Sequence, residues 1–116
     1  MIRSIIKLQV APGREREFEE TFRSRGVLAL AREVADLRTG ELLRPLRAGD
    51  PYVVIATWDS AEAYDRWVRS PARSQVNSAA PLSSPLAPAE LYEIVEAYPR
   101  RPGDREASID GRPLPQ

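Results

Sequence analysis

The stretch from Tyr52 to Ala72 leaves this chain few folds to choose from. Tyr52-Val-Val-Ile-Ala-Thr-Trp58 is rich in β-branched residues and ends on an aromatic one, the composition of a buried strand. Asp59 and Glu62 follow at capping-box spacing, an N-cap oxygen and an N3 carboxylate for the free amides of a helix start. In the helix that follows, Ala63, Tyr64, Trp67 and Val68 share one face, so the Trp67 indole leans over the end of a sheet. The chain contains no histidine. That removes the usual haem ligand, metal ligand and neutral-pH base together.

At 116 residues there is room for one small domain. Acidic and basic side chains balance at 17 each, so electrostatic capture of nucleic acid or an anionic membrane is not expected. Cysteine is absent, and with it disulfides, thiolate metal sites and a cysteine nucleophile. The N-terminus runs directly into a strand-like segment without a signal-peptide core, and no apolar stretch approaches membrane-spanning length. A soluble, cytoplasmic protein is the expectation.

Hydrophobic periodicity orders the rest. Ile2 to Val10 alternates, with Ile2, Ser4, Ile6, Leu8 and Val10 on one face and Arg3, Ile5, Lys7 and Gln9 on the other. Pro12-Gly13 makes a turn. Residues 14 to 34 read as helix, with Phe18, Phe22 and Ala29 on one face and Gly26 as a point of interruption. Residues 37 to 45 read as a second strand, with a bulge expected at Gly40. A hairpin turn over residues 47–51 leads to the strand ending at Trp58. The capped helix runs to about Arg69, and Ser70-Pro71 starts another with proline at its preferred first position. Residues 77 to 89 carry three prolines and read as loop, and residues 91 to 98 as the last strand.

The order is βαββαβ, an α+β ferredoxin-like sandwich over residues 1–98. Residues 99–116 are proline-rich and charged, the composition of a flexible tail or an arm over a partner. Helices cover one sheet face, while the other still carries Ile5 and residues from Val53, Ile55, Ile94 and Val95. Homodimerisation through the sheets is therefore expected.

Four local features then coincide. They are Pro12-Gly13, Leu42-Leu43-Arg44-Pro45, the run from Thr57 to Tyr64, and Trp67-Val-Arg-Ser70-Pro71-Ala72. Together they resemble the antibiotic biosynthesis monooxygenase superfamily over roughly residues 2–98. The resemblance implies a dimeric α+β barrel of two ferredoxin-like subunits. One branch degrades haem and carries a strand-one asparagine, a helix tryptophan and a haem-ligating histidine. Trp67 matches that tryptophan, whereas Ile6 stands at the asparagine position and Val76 near the histidine position. Another branch comprises anthrone- and quinone-forming oxygenases, which need no metal or flavin. Their chemistry works without histidine, because a deprotonated, electron-rich phenol can itself pass an electron to dioxygen.

The resemblance to that branch implies a cofactor-independent monooxygenase acting on an aromatic, polyketide-like metabolite and dioxygen. The alternatives are a cyclase, an isomerase or a ligand-binding accessory protein with the same pocket, and a haem-binding protein with an altered ligand. Trp67, Arg73 and Tyr64 are the candidate catalytic residues, and Phe22, Trp58, Gln75 and Asn77 the candidate substrate contacts. Each has an ordinary reading as well. Trp58, Phe22 and Tyr64 suit a core, Arg73 a solvated helix, and Gln75 and Asn77 a surface helix end. Glu93 and Glu96 lie on opposite faces of the last strand, so one of them points inward as a candidate base or as a partner for Arg3 or Lys7.

Overall fold

Among the described residues, five strands form one antiparallel sheet in the order β2-β3-β1-β4, with β5 also pairing with β1. A computed structural model describes residues 1–78 and 82–99, with residues 75–78 described only as part of a helix. The elements are β1 (Ile2–Val10), α1 (Glu15–Ser24), α2 (Val27–Ala35), β2 (Thr39–Leu43), β3 (Tyr52–Trp58), α3 (Ala61–Arg69), α4 (Pro71–Ser78), β4 (Ser83–Pro85) and β5 (Glu90–Glu93). This is the ferredoxin-like α+β arrangement, with one helical stretch divided in two and the last strand position shared. β4 pairs with Leu8–Val10 and β5 with Ile2–Ile5, end to end along the same edge of β1.

Register decides which residues meet the helices. Ser4 lies opposite Ala56 and Ile6 opposite Val54 in the β1–β3 pair, and Gly40 lies opposite Ala56 in the β2–β3 pair. These residues share the helix-covered face, as the alternation of β1 predicts. Ala56 and Trp58 pack there with Ala31, Ala35, Leu37, Ala63 and Trp67. Alanines on α2 and α3 bring the helix backbones close to the sheet and leave the volume to the indoles. A second cluster, Val10, Phe18, Tyr52 and Leu82, fills the other end beneath α1.

The interruption expected at Gly26 is present: the residue adopts φ 60° and ψ 42°, and α1 and α2 are separate helices. Other local expectations are corrected in four places. Gly40 makes no bulge, since the β2–β3 register is unbroken across it. A Cβ there would stand 2.9 Å from Leu28 Cδ2, so glycine serves close strand-to-helix packing instead. The N-cap of α3 is Ser60, whose Oγ accepts the Ala63 N–H at 3.2 Å, not Asp59. Asp59 is drawn away by Arg38, which donates to both carboxylate oxygens at 2.6 and 3.0 Å. The stretch read as loop continues α4 through Ser78 and holds the short strand β4, while the last strand ends at Glu93, well before Tyr98.

The opposite sheet face carries Arg3, Ile5 and Lys7 from β1 across from Thr57, Ile55 and Val53 of β3. Leu43 extends it on one side and Tyr92 on the other. All four helices pack on the first face, so this one is bare among the described residues. Arg3 Nη2 reaches Thr57 Oγ1 at 3.4 Å, and Arg3 Nε is buried without a partner among the described residues. The expected tail falls outside the described residues beyond Pro99.

Candidate functional site

Trp58 ends β3 pointing into the space between sheet and helices. It is 2% exposed, and its indole N–H donates to Ser4 Oγ at 2.9 Å. Tyr64, on the first turns of α3, meets the Trp58 ring edge to face with centroids 5.6 Å apart. Trp67 follows one turn later on the same face and is also buried. Ser70 then breaks α3 and caps α4, its Oγ accepting the Arg73 N–H at 3.1 Å. That cap sets the first turn of α4, and Arg73 turns back toward Tyr64.

Trp58, Tyr64, Trp67 and Arg73 consequently line one recess, with Ser4, Ile6 and Ala56 below and Val27, Leu28 and Ala31 beside them. Burial holds the Tyr64 phenol above its ordinary pKa, partly offset by the Arg73 cation. The recess is small, about 60 Å³. A water molecule or a diatomic gas fits there, but a polycycle does not.

A larger cavity of about 380 Å³ adjoins it, with Val27 and Leu28 common to both walls. Phe22, Val27, Leu28, Ala29 and Leu42 make its apolar surface, and Glu19, Arg23, Arg44 and Tyr52 its polar side. Phe22 therefore faces this cavity and not the recess holding the two tryptophans. Gln75 and Asn77 belong to α4, but their side chains lie outside the described residues. Glu93 and Glu96 are both exposed in the single chain and line neither the recess nor the 380 Å³ cavity.

The polar side was not anticipated from the sequence. Arg44 Nε and Nη2 donate to Glu19 Oε2 and Oε1 at 2.6 and 2.7 Å, and the Tyr52 hydroxyl also donates to Glu19 Oε2. Hydrogen bonds from Arg44 and then Tyr52 lower the Glu19 pKa to about 2. Burial, with Glu19 next in order, raises that of Tyr52. One signal pointed here: Glu19 lies between Phe18 and Phe22 on the half of the helix that turns inward, where a carboxylate requires a partner. Beyond Arg44 an open groove of about 520 Å³ runs between the start of α1 and the hairpin carrying Leu46 and Asp50. Both this groove and the 380 Å³ cavity open to solvent, and the charges of the groove are mixed.

The sequence model of antibiotic biosynthesis monooxygenases matches residues 1–78. The chain belongs to that family. No curated protein matches the sequence significantly. Solved structures do. The haem degrader MhuD of Mycobacterium tuberculosis, with two haems in its active site, is 24% identical over 84% of this chain and 98% of its own, with a TM-score of 0.68. A MhuD variant with two manganese protoporphyrin IX bound per active site is 27% identical over 84% and 97%, with a TM-score of 0.65. SnoaB of Streptomyces nogalater, a cofactor-independent oxygenase, is 22% identical over 85% and 97%, with a TM-score of 0.70.

These neighbours differ in chemistry, MhuD being a haem degrader and SnoaB a cofactor-independent oxygenase. The donor set here does not fit haem. Position 76 is valine, histidine and cysteine are missing from the sequence, and the recess beside Trp67 is far smaller than a porphyrin. Of the tyrosines lining the cavities, Tyr52 is committed to Glu19, and burial raises the pKa of Tyr64, which disfavours the phenolate that would ligate iron. Among the described residues no cluster of His, Cys, Asp and Glu could hold a metal ion either.

Proposed function

We propose that this family member is a cofactor-independent monooxygenase that oxidises an aromatic, polyketide-like phenol or anthrone with dioxygen. The observation that carries this reading is the pairing of two spaces across Val27 and Leu28. One is an aromatic-walled cavity of polycycle size, and the other a recess of about 60 Å³ bounded by Trp58, Trp67, Tyr64 and Arg73. In this reading the ring system lies in the cavity against Phe22 and Leu42, and dioxygen occupies the recess.

The chemistry needs three things from the protein: exclusion of water, orientation and stabilisation of an anion. Buried Trp58 and Trp67 supply the dry wall, and Arg73 the positive charge. The deprotonated substrate passes one electron to dioxygen, and the resulting radical pair joins as a carbon-bound peroxide. Cleavage of its O–O bond with loss of the carbon-bound hydrogen releases water and leaves a carbonyl. One oxygen atom enters the product and the other leaves as water, so no external reductant is required. Gln75 and Asn77, further along α4, complete the proposed substrate contacts.

The enzyme is proposed to act in the cytoplasm as a homodimer joined through the bare sheet face. The apolar Ile5, Val53 and Ile55 and the unpartnered Arg3 Nε support that assembly. Among the described residues no helix is long and apolar enough to cross a membrane.

Oxygen consumption with a panel of anthrones is the test. Wild type should consume oxygen, Arg73→Ala should lower kcat about tenfold or more, and Trp67→Phe should alter KM with the fold intact. If wild type consumes no oxygen with any anthrone, the oxygenase reading fails and the binding or isomerase alternatives take its place. If both variants match an active wild type, the residues around the recess are packing only.

A further inference from the structure

We propose that the 380 Å³ cavity selects an aromatic ligand bearing a carboxylate, and that Arg23 is the residue that anchors it. The inference deepens the reading above, on which it rests for the choice of ring system. Phe22 presents a flat apolar wall and is itself braced, with its centroid 6.1 Å from Phe18, which in turn meets Tyr52 edge to face at 5.1 Å. Such an aromatic stack does not yield easily, so a planar ligand meets a preformed surface.

Charge around the rim is unbalanced. Three charged side chains line the cavity: Glu19, Arg23 and Arg44. Both oxygens of Glu19 accept from Arg44, which neutralises that pair and fixes the Arg44 guanidinium in place. Arg23 adjoins Phe22 in sequence and is exposed; it adds a weaker attraction for Glu19 but no hydrogen bond or ion pair among the described residues, so the three charges sum to one positive. One positive charge is therefore left beside the apolar wall. An uncharged ligand gains at most a single-acceptor hydrogen bond from it, whereas a carboxylate accepts stronger, charge-assisted, bidentate ones. The ordinary alternative is that Arg23 only complements the C-terminal dipole of α1. That role affects stability but cannot discriminate between ligands.

The experiment compares anthraquinone-2-carboxylate with anthraquinone-2-carboxamide, titrated into wild type and Arg23→Gln by calorimetry. Wild type is expected to bind the acid about tenfold more tightly than the amide, with the advantage shrinking as salt rises. Arg23→Gln should weaken the acid to the level of the amide and leave the amide unchanged, the latter showing that the variant is folded. Equal affinity of wild type for both probes overturns the proposal, as does a preference that survives in Arg23→Gln, or no binding of either probe. Oxygen uptake, measured separately, keeps the two ideas apart. Selective binding by a protein inert toward oxygen removes the oxygenase reading and leaves the anchor, while turnover without acid preference does the reverse.

Discussion

The Trp58 indole and the Ser4 hydroxyl, 54 positions apart, form a buried hydrogen bond of 2.9 Å that ties the end of β3 to the start of β1. The two are diagonal neighbours on the helix-covered face, since Ser4 lies opposite Ala56 and Ile2 opposite Trp58. Ser4 is the one hydrogen-bonding side chain that β1 places beneath the aromatic recess. It fixes the indole plane against which Tyr64 packs.

Ser4→Ala removes the acceptor without adding volume at this buried site, leaving a buried indole N–H unsatisfied. The expected cost is about 1–3 kcal/mol. Urea denaturation should show a lower midpoint at unchanged slope. An unaltered midpoint would mean that the indole finds another acceptor.

Glu19 sets an acid limit on stability. Its folded pKa of about 2 lies below the ordinary carboxylate value of 4.5, so it favours the folded state above the unfolded pKa. That contribution declines as pH falls from about 4.5 and is gone below about 2. Stability measured across this window should fall for wild type and fall less steeply for Glu19→Gln. Identical slopes would show that the Arg44 and Tyr52 contacts add nothing in solution.

Gly26 separates α1 from α2 in the left-handed region, and a Cβ placed there meets nothing within 4 Å. Gly26→Ala therefore introduces backbone strain without a clash, about 1 kcal/mol. For a domain of this size the melting temperature should drop by roughly 5 °C. A much larger loss would indicate that the break also governs the cavity wall formed by Val27 and Leu28.

Haem should bind without a defined stoichiometry. Titration of hemin is expected to give no saturable Soret shift at one haem per chain, because the tyrosines lining the cavities are unsuited to ligation and imidazole is missing. A sharp equivalence point would mean that an unforeseen donor has entered the site.

Local chemistry made much of this protein legible in its sequence. The β-branched run of Tyr52–Trp58, the two-residue alternation of Ile2–Val10 and the Ser70-Pro71 break each depend on neighbours along the chain. Trp58, Tyr64, Trp67 and Arg73 fall within one strand and the two helices that follow it, so their convergence on a recess could be expected from element order. Contacts between distant segments were another matter. Arg44 reaches Glu19 across 25 positions, Tyr52 reaches it across 33, and Ser4 reaches Trp58 across 54. Periodicity says which face a side chain occupies but not which residue of another element stands opposite. That depends on strand register and on where α1 lies over the sheet. The same competition moved the α3 cap from Asp59 to Ser60, because Arg38 lies close enough in space to claim the aspartate. Cavity size was likewise decided in three dimensions, since it is the volume left where the side chains of α1 and α2 fail to meet those of β2 and β3.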